Sequence, residues 1–133
     1  MLCKYATWIC LAGIFVPTLG CSPSGPRMAQ VSGAVTLDGQ PIEDGEIMFV
    51  PLDKELGPEA GRINKGVFTL PAKVGMNRIE IRASKAVPGR QTPMGPITLE
   101  YIPARFNTDS TLQEEVLSDH KNEYALKLLS VTK

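Results

Sequence analysis

The sequence predicts an all-β domain: an antiparallel sandwich of about seven short strands, preceded by a signal peptide. Three observations predict it. Apolar and polar residues alternate in short runs, turns rich in Gly and Pro separate those runs, and no segment sustains a helical repeat. Short strands of even spacing bury one face each, and two such layers close around one core.

The first residues have a different pattern. Met1 to Lys4 is a short positive start, and residues 5–19 carry no charge. As a helix this stretch would rise about 22 Å, short of the roughly 30 Å hydrocarbon core, and Pro17 would break it near its end. A positive front, a short apolar run and small residues at the exit make a secretory signal peptide over residues 1–20. The chain is therefore expected to be exported.

The exit reads Thr18-Leu19-Gly20-Cys21, followed by Ser22-Pro23-Ser24-Gly25-Pro26. It resembles the lipobox of bacterial lipoproteins, in which a small residue precedes a cysteine that takes diacylglycerol on sulfur. Gly20 and Cys21 match that pattern, whereas Thr18 stands where Leu is usual. The resemblance implies cleavage between Gly20 and Cys21, lipidation of Cys21, and a membrane partner held through that lipid. Residues 21–28 then form a flexible tether, and residues 29–133 the folded domain. Cys3 and Cys10 leave with the leader, so the mature chain keeps one cysteine and forms no internal disulfide. Acyl chains at about 0.8 kcal/mol per buried CH₂ anchor such a chain stably when two or more are present.

Along the domain, Val31, Gly33, Val35 and Leu37 alternate with Ser32, Ala34, Thr36 and Asp38, a half-buried strand. Asp38-Gly39 supplies a tight turn, since both residue types tolerate positive φ. Pro41 and Asp44-Gly45 punctuate again before a strand carrying Ile47 and Phe49, which Pro51 ends. Residues 53–61 read as a loop. Lys65-Gly66 joins residues 62–64 to residues 67–70 as a hairpin with Phe68 and Leu70 inward. Arg78-Ile79-Glu80-Ile81-Arg82 alternates most cleanly, with both isoleucines inward and three charges facing water.

Residues 85–96 hold three prolines and no periodicity, so they read as a long loop, and long loops are disproportionately functional. Val87, Arg90, Pro93 and Met94 are its candidate partner-binding residues. A short edge strand over residues 98–102 follows, then a turn or single helical turn over residues 103–107. Residues 111–117 and 123–131 are the last two strands, the final one with Tyr124, Leu126 and Leu128 inward. Glu114 shares a face with Leu112 and Val116, and a buried unpaired carboxylate costs several kcal/mol. Glu114 is therefore expected at a sheet margin, paired with a cation, or marking a twisted edge strand.

The run Val31-Ser32-Gly33-Ala34-Val35-Thr36-Leu37-Asp38-Gly39-Gln40-Pro41-Ile42, then Gly45 to Pro51, resembles the opening of the carboxypeptidase regulatory-like domain. The chain is also similar to small planctomycete lipoproteins of that type. The shared features are a Gly-x-Phe-x-Leu strand at residues 66–70, an Ile-Pro-x-x-Phe-Asn segment at residues 102–107 and a Ser-Thr-Leu strand entry at residues 110–112. The resemblance implies a transthyretin-like, immunoglobulin-like sandwich. It implies no peptidase activity, because in carboxypeptidases the zinc and catalytic groups belong to a separate domain.

Composition narrows the chemistry. The chain has 14 Lys+Arg and 14 Asp+Glu, and Lys4 is the single charge ahead of Cys21, so the remainder is near neutral. Such a chain has no field with which to gather nucleic acid. The single histidine, His120, sits among Ser118, Asp119, Lys121 and Asn122, where sequence neighbours rarely orient as a triad. One His and one Cys exclude the usual zinc patterns. Asp38, Glu43, Asp44 and Glu46 are acidic, yet their spacing matches no calcium loop. No catalytic residue, metal or cofactor is expected. The expectation is a non-enzymatic, membrane-tethered envelope module with a protein or glycan partner. The alternative is a small-ligand or carbohydrate-binding module that uses the loop ends or a sandwich face.

Overall fold

The computed structural model describes residues 25–131. The leader 1–20, Gly20 and Cys21, with residues 22–24, lie outside the described residues. Residues 25–27 are exposed, and the first strand begins at Met28, one residue before the expected domain boundary.

Among the described residues the protein is all-β, with ten strands rather than about seven. In chain order they are β1 (Met28–Leu37), β2 (Gln40–Pro41), β3 (Asp44–Pro51), β4 (Glu59–Asn64), β5 (Val67–Lys73), β6 (Gly75–Arg82), β7 (Ser84–Thr92), β8 (Gly95–Glu100), β9 (Gln113–Val116) and β10 (Asn122–Leu128). One 3₁₀ turn, Ala104–Phe106, stands where a single helical turn was expected. The main sheet has eight strands in the order β10-β1-β5-β4-β3-β6-β9, with β2 folded back on β1, while β7 and β8 pair only with each other.

Local chemistry sets the tight turns. Asp38 and Gly39 have φ of 51° and 81°, and Lys65 and Gly66 have 50° and 77°, so both two-residue turns are left-handed throughout. That geometry matches the natural twist of the strands it joins, β1 to β2 and β4 to β5. Pairing is antiparallel with one correction: β1 and β10 run parallel, from Val31 opposite Asn122 to Leu37 opposite Leu128.

The sheet is strongly curled. Phe49 on β3 and Tyr124 on β10 lie four strands apart in the order, a separation of about 19 Å in a flat sheet at ~4.8 Å per strand. Their ring centroids are 6.0 Å apart, and Phe68 stands 6.2 Å from Phe49 on the other side. The curl turns one face of every main-sheet strand except β2 inward, and the two-residue β2 is followed at once by Ile42, which is also buried. Val31, Val35, Ile42, Ile47, Phe49, Ile63, Phe68, Leu70, Ile79, Ile81, Val116, Leu126 and Leu128 form a single core. Between β4 and β5 the pairing stops after Ile63 opposite Phe68. Pro71, which has no N–H to give, occupies the unpaired stretch beyond.

Of two expectations about charge, one is overturned and one holds. Glu80 does not face water: it is 7% exposed, beneath Arg78 at 2.6 Å and Arg82 at 3.6 Å. Its two flanking arginines, each two residues away on the same face, fold over it and supply the pairing that burial demands. Glu114 is half-buried on β9, the edge strand, opposite Asn77, as its margin placement required.

At the far end of β1, Asp38 ties the last strand down by accepting the Ser130 N–H at 2.9 Å. The Ser130 hydrogen bonds hold its carboxyl below the usual carboxylate range, and nearby Arg105 adds to the effect. A carboxylate lowered by folding stabilises the fold above its ordinary value of 3.8 and loses that contribution as pH falls through the lowered value. Asp38→Asn keeps the turn, because Asn also accepts positive φ. Acid titration followed by circular dichroism should therefore show a shallower loss of stability below about pH 4 in Asp38→Asn than in the parent.

Candidate functional site

The segment expected to be a loop, residues 85–96, is a β-hairpin. β7 and β8 pair from Ser84 opposite Glu100 to Thr92 opposite Gly95, with an irregularity between Ala86 and Gln91. At the tip Thr92 Oγ1 donates to Gly95 O at 2.9 Å and accepts the Met94 N–H at 3.3 Å. Gly89 and Gly95 take φ of 72° and 125°, which absorbs the bulge and the turn. Pro88, Pro93 and Pro96 hid the hairpin from sequence, since proline ordinarily argues against a strand. Pro88 and Pro96 are tolerated because each strand has a single neighbour and an open outer edge, and Pro93 sits in the turn between them.

This hairpin is an arm. None of its residues from Ser84 to Glu100 is buried, and the six residues of β8 span about 20 Å at ~3.3 Å each. Val87, Arg90, Pro93 and Met94 all lie on it, and Met94 at the tip is 98% exposed. Side chains directly opposite or two apart share a face, so Lys85, Ile97 and Leu99 stand on one side, while Val87 lies in the irregular stretch. Leu99 is 67% exposed and Ile97 39%. Sequence reasoning did not single out these two; the Ile97-Thr98-Leu99 alternation was the signal for them. The opposite face carries Ser84, Ala86, Thr98 and Glu100.

Two depressions flank the base of the arm. The larger, about 660 Å³, lies on the outer face of β3, β4 and β6 and is lined by Asp44, Glu46, Arg62, Arg82, Ser84, Thr98 and Glu100 among others. Register places Glu46 between Arg62 and Arg82 in one row across three strands. Arg62 is drawn to Asp44, with Nη2 at 2.9 Å from its carboxylate. The smaller, about 340 Å³, opens on the side of Lys85 and Leu99. Leu37, Pro41, Ile42 and Tyr101 form its apolar part and Asp38, Glu43 and Asp44 its acidic part. Lys85 Nζ sits 4.4 Å from the Tyr101 ring centre, a cation over a π face. Burial pushes the Tyr101 hydroxyl above its usual value, and the charges of Asp44 and Glu43 add to it.

The register also fixes where the arm stands relative to the N-terminal end. Met28 pairs with Lys73 at one end of β1, and Leu37 pairs with Gln40 and Leu128 at the other. Arg82 pairs with Glu46, and Asp44 with Asn64, at the Leu37 end. The arm leaves from there, since Ala83 O accepts the Tyr101 N–H at 3.1 Å across its base. Met28 and the arm thus occupy opposite poles, separated by β1, whose ten residues span about 33 Å.

The other candidates are not brought together. Ser118 Oγ donates to Asp119 Oδ2 at 2.8 Å, so the serine turns to the acid rather than to His120, which is exposed. Among the described residues no group of three or more His, Cys, Asp or Glu side chains could hold a metal ion. No helix among them is long and apolar enough to cross a membrane. No protein-family model matches the chain, and no curated protein or solved structure does either.

Proposed function

We propose that this chain is an exported, non-enzymatic module of the cell envelope, lipid-anchored through Cys21 after cleavage behind Gly20, whose arm engages a protein partner. In this reading the curled sheet is a β-sandwich of the carboxypeptidase regulatory-like, transthyretin-like type. The observation that supports it most is the opposition of the poles. A chain tethered ahead of Met28 would hold residues 84–100 at the end of the domain farthest from the bilayer. An arm with no buried residue and an apolar tip is kept for something outside the fold.

Intact mass of protein extracted from membranes tests the address. The expected result is a chain beginning at residue 21 with diacylglyceryl mass on Cys21, and a soluble, unmodified species would end the proposal. A second reading rests on the 660 Å³ depression, whose arginines, carboxylates and hydroxyls suit a polar ligand such as a glycan. In that case Arg82→Ala abolishes binding on a glycan array, and a blank array disposes of the reading.

A further inference from the structure

We infer that the arm's partner is a second copy of this chain, with Met94 of each copy seated in the other's depression beside Tyr101. The inference rests on the arm being a protein-binding element, as proposed above, and names its occupant.

Three features of the fold argue for it. First, the tip and the 340 Å³ depression complement each other. Met94 is a long, unbranched apolar side chain, 98% exposed, with the cation Arg90 four residues before it. The depression offers Leu37, Pro41, Ile42 and Tyr101 to an apolar group, and Asp38, Glu43 and Asp44 to a cation. Arg62 is paired with Asp44, Arg105 lies near Asp38 and Lys85 stacks on Tyr101, which leaves Glu43 as the carboxylate for an incoming cation. Methionine suits such a seat because its thioether adapts to irregular gaps and packs well on aromatic edges.

Second, the arm does not fill its own depression. Only Ser84 and Lys85, at its base, join Tyr101 in lining it, and residues 86–97 line neither of the two depressions at its base. The knob and its hole are an arm's length apart in one molecule. A second molecule removes that separation.

Third, both features open on the same side. Lys85, Ile97 and Leu99 share the arm face that continues to Tyr101, and Lys85 and Tyr101 both line the depression. A two-fold axis between two copies lays the arms side by side in opposite directions. Each tip then reaches the other's base while Ile97 and Leu99 of the two arms face one another. That is an isologous interface, which closes at two copies and leaves no free end to propagate. Charge follows the same logic at one point: Arg90, the cation nearest the tip, meets Glu43, since Asp44 is paired with Arg62 and Asp38 lies near Arg105.

The test uses the full chain in native membranes. Two tagged copies are co-expressed, one carrying Met94→Cys and the other Gln40→Cys, since Gln40 lines the depression and is exposed. Oxidation should cross-link the two copies. Arg90→Glu should cut the yield about tenfold by setting like charges against each other, and Glu43→Arg in the opposite copy should restore most of it. A cross-link as strong from either copy alone, or one indifferent to Arg90→Glu, overturns the pairing. If the copies never cross-link while Met94→Asp and Leu99→Asp release a different protein, the arm remains a binding element and self-pairing falls. If neither a copy nor another protein is held, both readings fall together.

Discussion

Phe49→Ala is expected to destabilise the domain by about 3–5 kcal/mol, as for other deletions of a fully buried phenylalanine. The ring is completely excluded from solvent and stands next to two other rings, Phe68 and Tyr124. Those contacts connect β3 to β5 on one side and to β10 on the other, across the interior of the curl. Alanine removes the apolar area and leaves a cavity that strands pinned by ladder hydrogen bonds cannot collapse to fill. Natural domains hold only about 5–15 kcal/mol in total, so this one change takes a large share. Urea unfolding followed by tyrosine fluorescence measures it. Phe49→Leu should lose much less, and a loss below about 1 kcal/mol for alanine would mean that the curl is not closed around this ring.

Gly33→Ala should be nearly as damaging, although the added group is a single methyl. Gly33 lies in β1 with φ outside the left-handed region, where alanine ordinarily stabilises a strand by about 0.5–1 kcal/mol. Here a Cβ would come within 2.1 Å of Tyr124 O and 2.9 Å of Phe68 Cζ. The phenylalanine ring could shift, but the carbonyl belongs to the neighbouring backbone. The clash can be relieved only by moving β10 away from β1, which breaks the parallel ladder from Val31 to Leu37. Overpacking a core with a methylene costs about 1–3 kcal/mol where side chains can give, and this site cannot. The expected loss is therefore about 3 kcal/mol or more, with faster amide exchange across residues 122–128 than elsewhere. A neutral or stabilised Gly33→Ala would refute the close approach of the two strands.

Sequence made most of the strands legible, and the reasons are local. Asp38-Gly39 and Lys65-Gly66 announce two-residue turns because positive φ at both positions is a property of those dipeptides. Ile79 and Ile81 announce a strand because a period of two has one physical meaning. What could not be read depends on neighbours distant in the chain. The parallel partnership of β1 and β10 joins residues about ninety positions apart and leaves no mark in either strand. Glu80 reads as a surface charge until Arg78 and Arg82 are seen to close over it. The arm reads as a loop because Pro88 and Pro96 are barred only from strands paired on both sides, and sidedness is a tertiary fact. Of the candidate site, the residues of the tip were visible and the depression that complements them was not, since Leu37, Ile42 and Tyr101 come from three separate segments.

The neighbouring placement of β1 and β10 sets the schedule on which the fold can form. Tyr124, Leu126 and Leu128 complete an interior that Val31 and Val35 begin, so the opening strand waits, with one edge unmatched, until the last residues have been synthesised. Until β10 arrives, the interior that β1, β3, β4, β5 and β6 can begin stays open along the free edge of β1. Closure by the farthest-separated strands also makes assembly slow for a domain of this size.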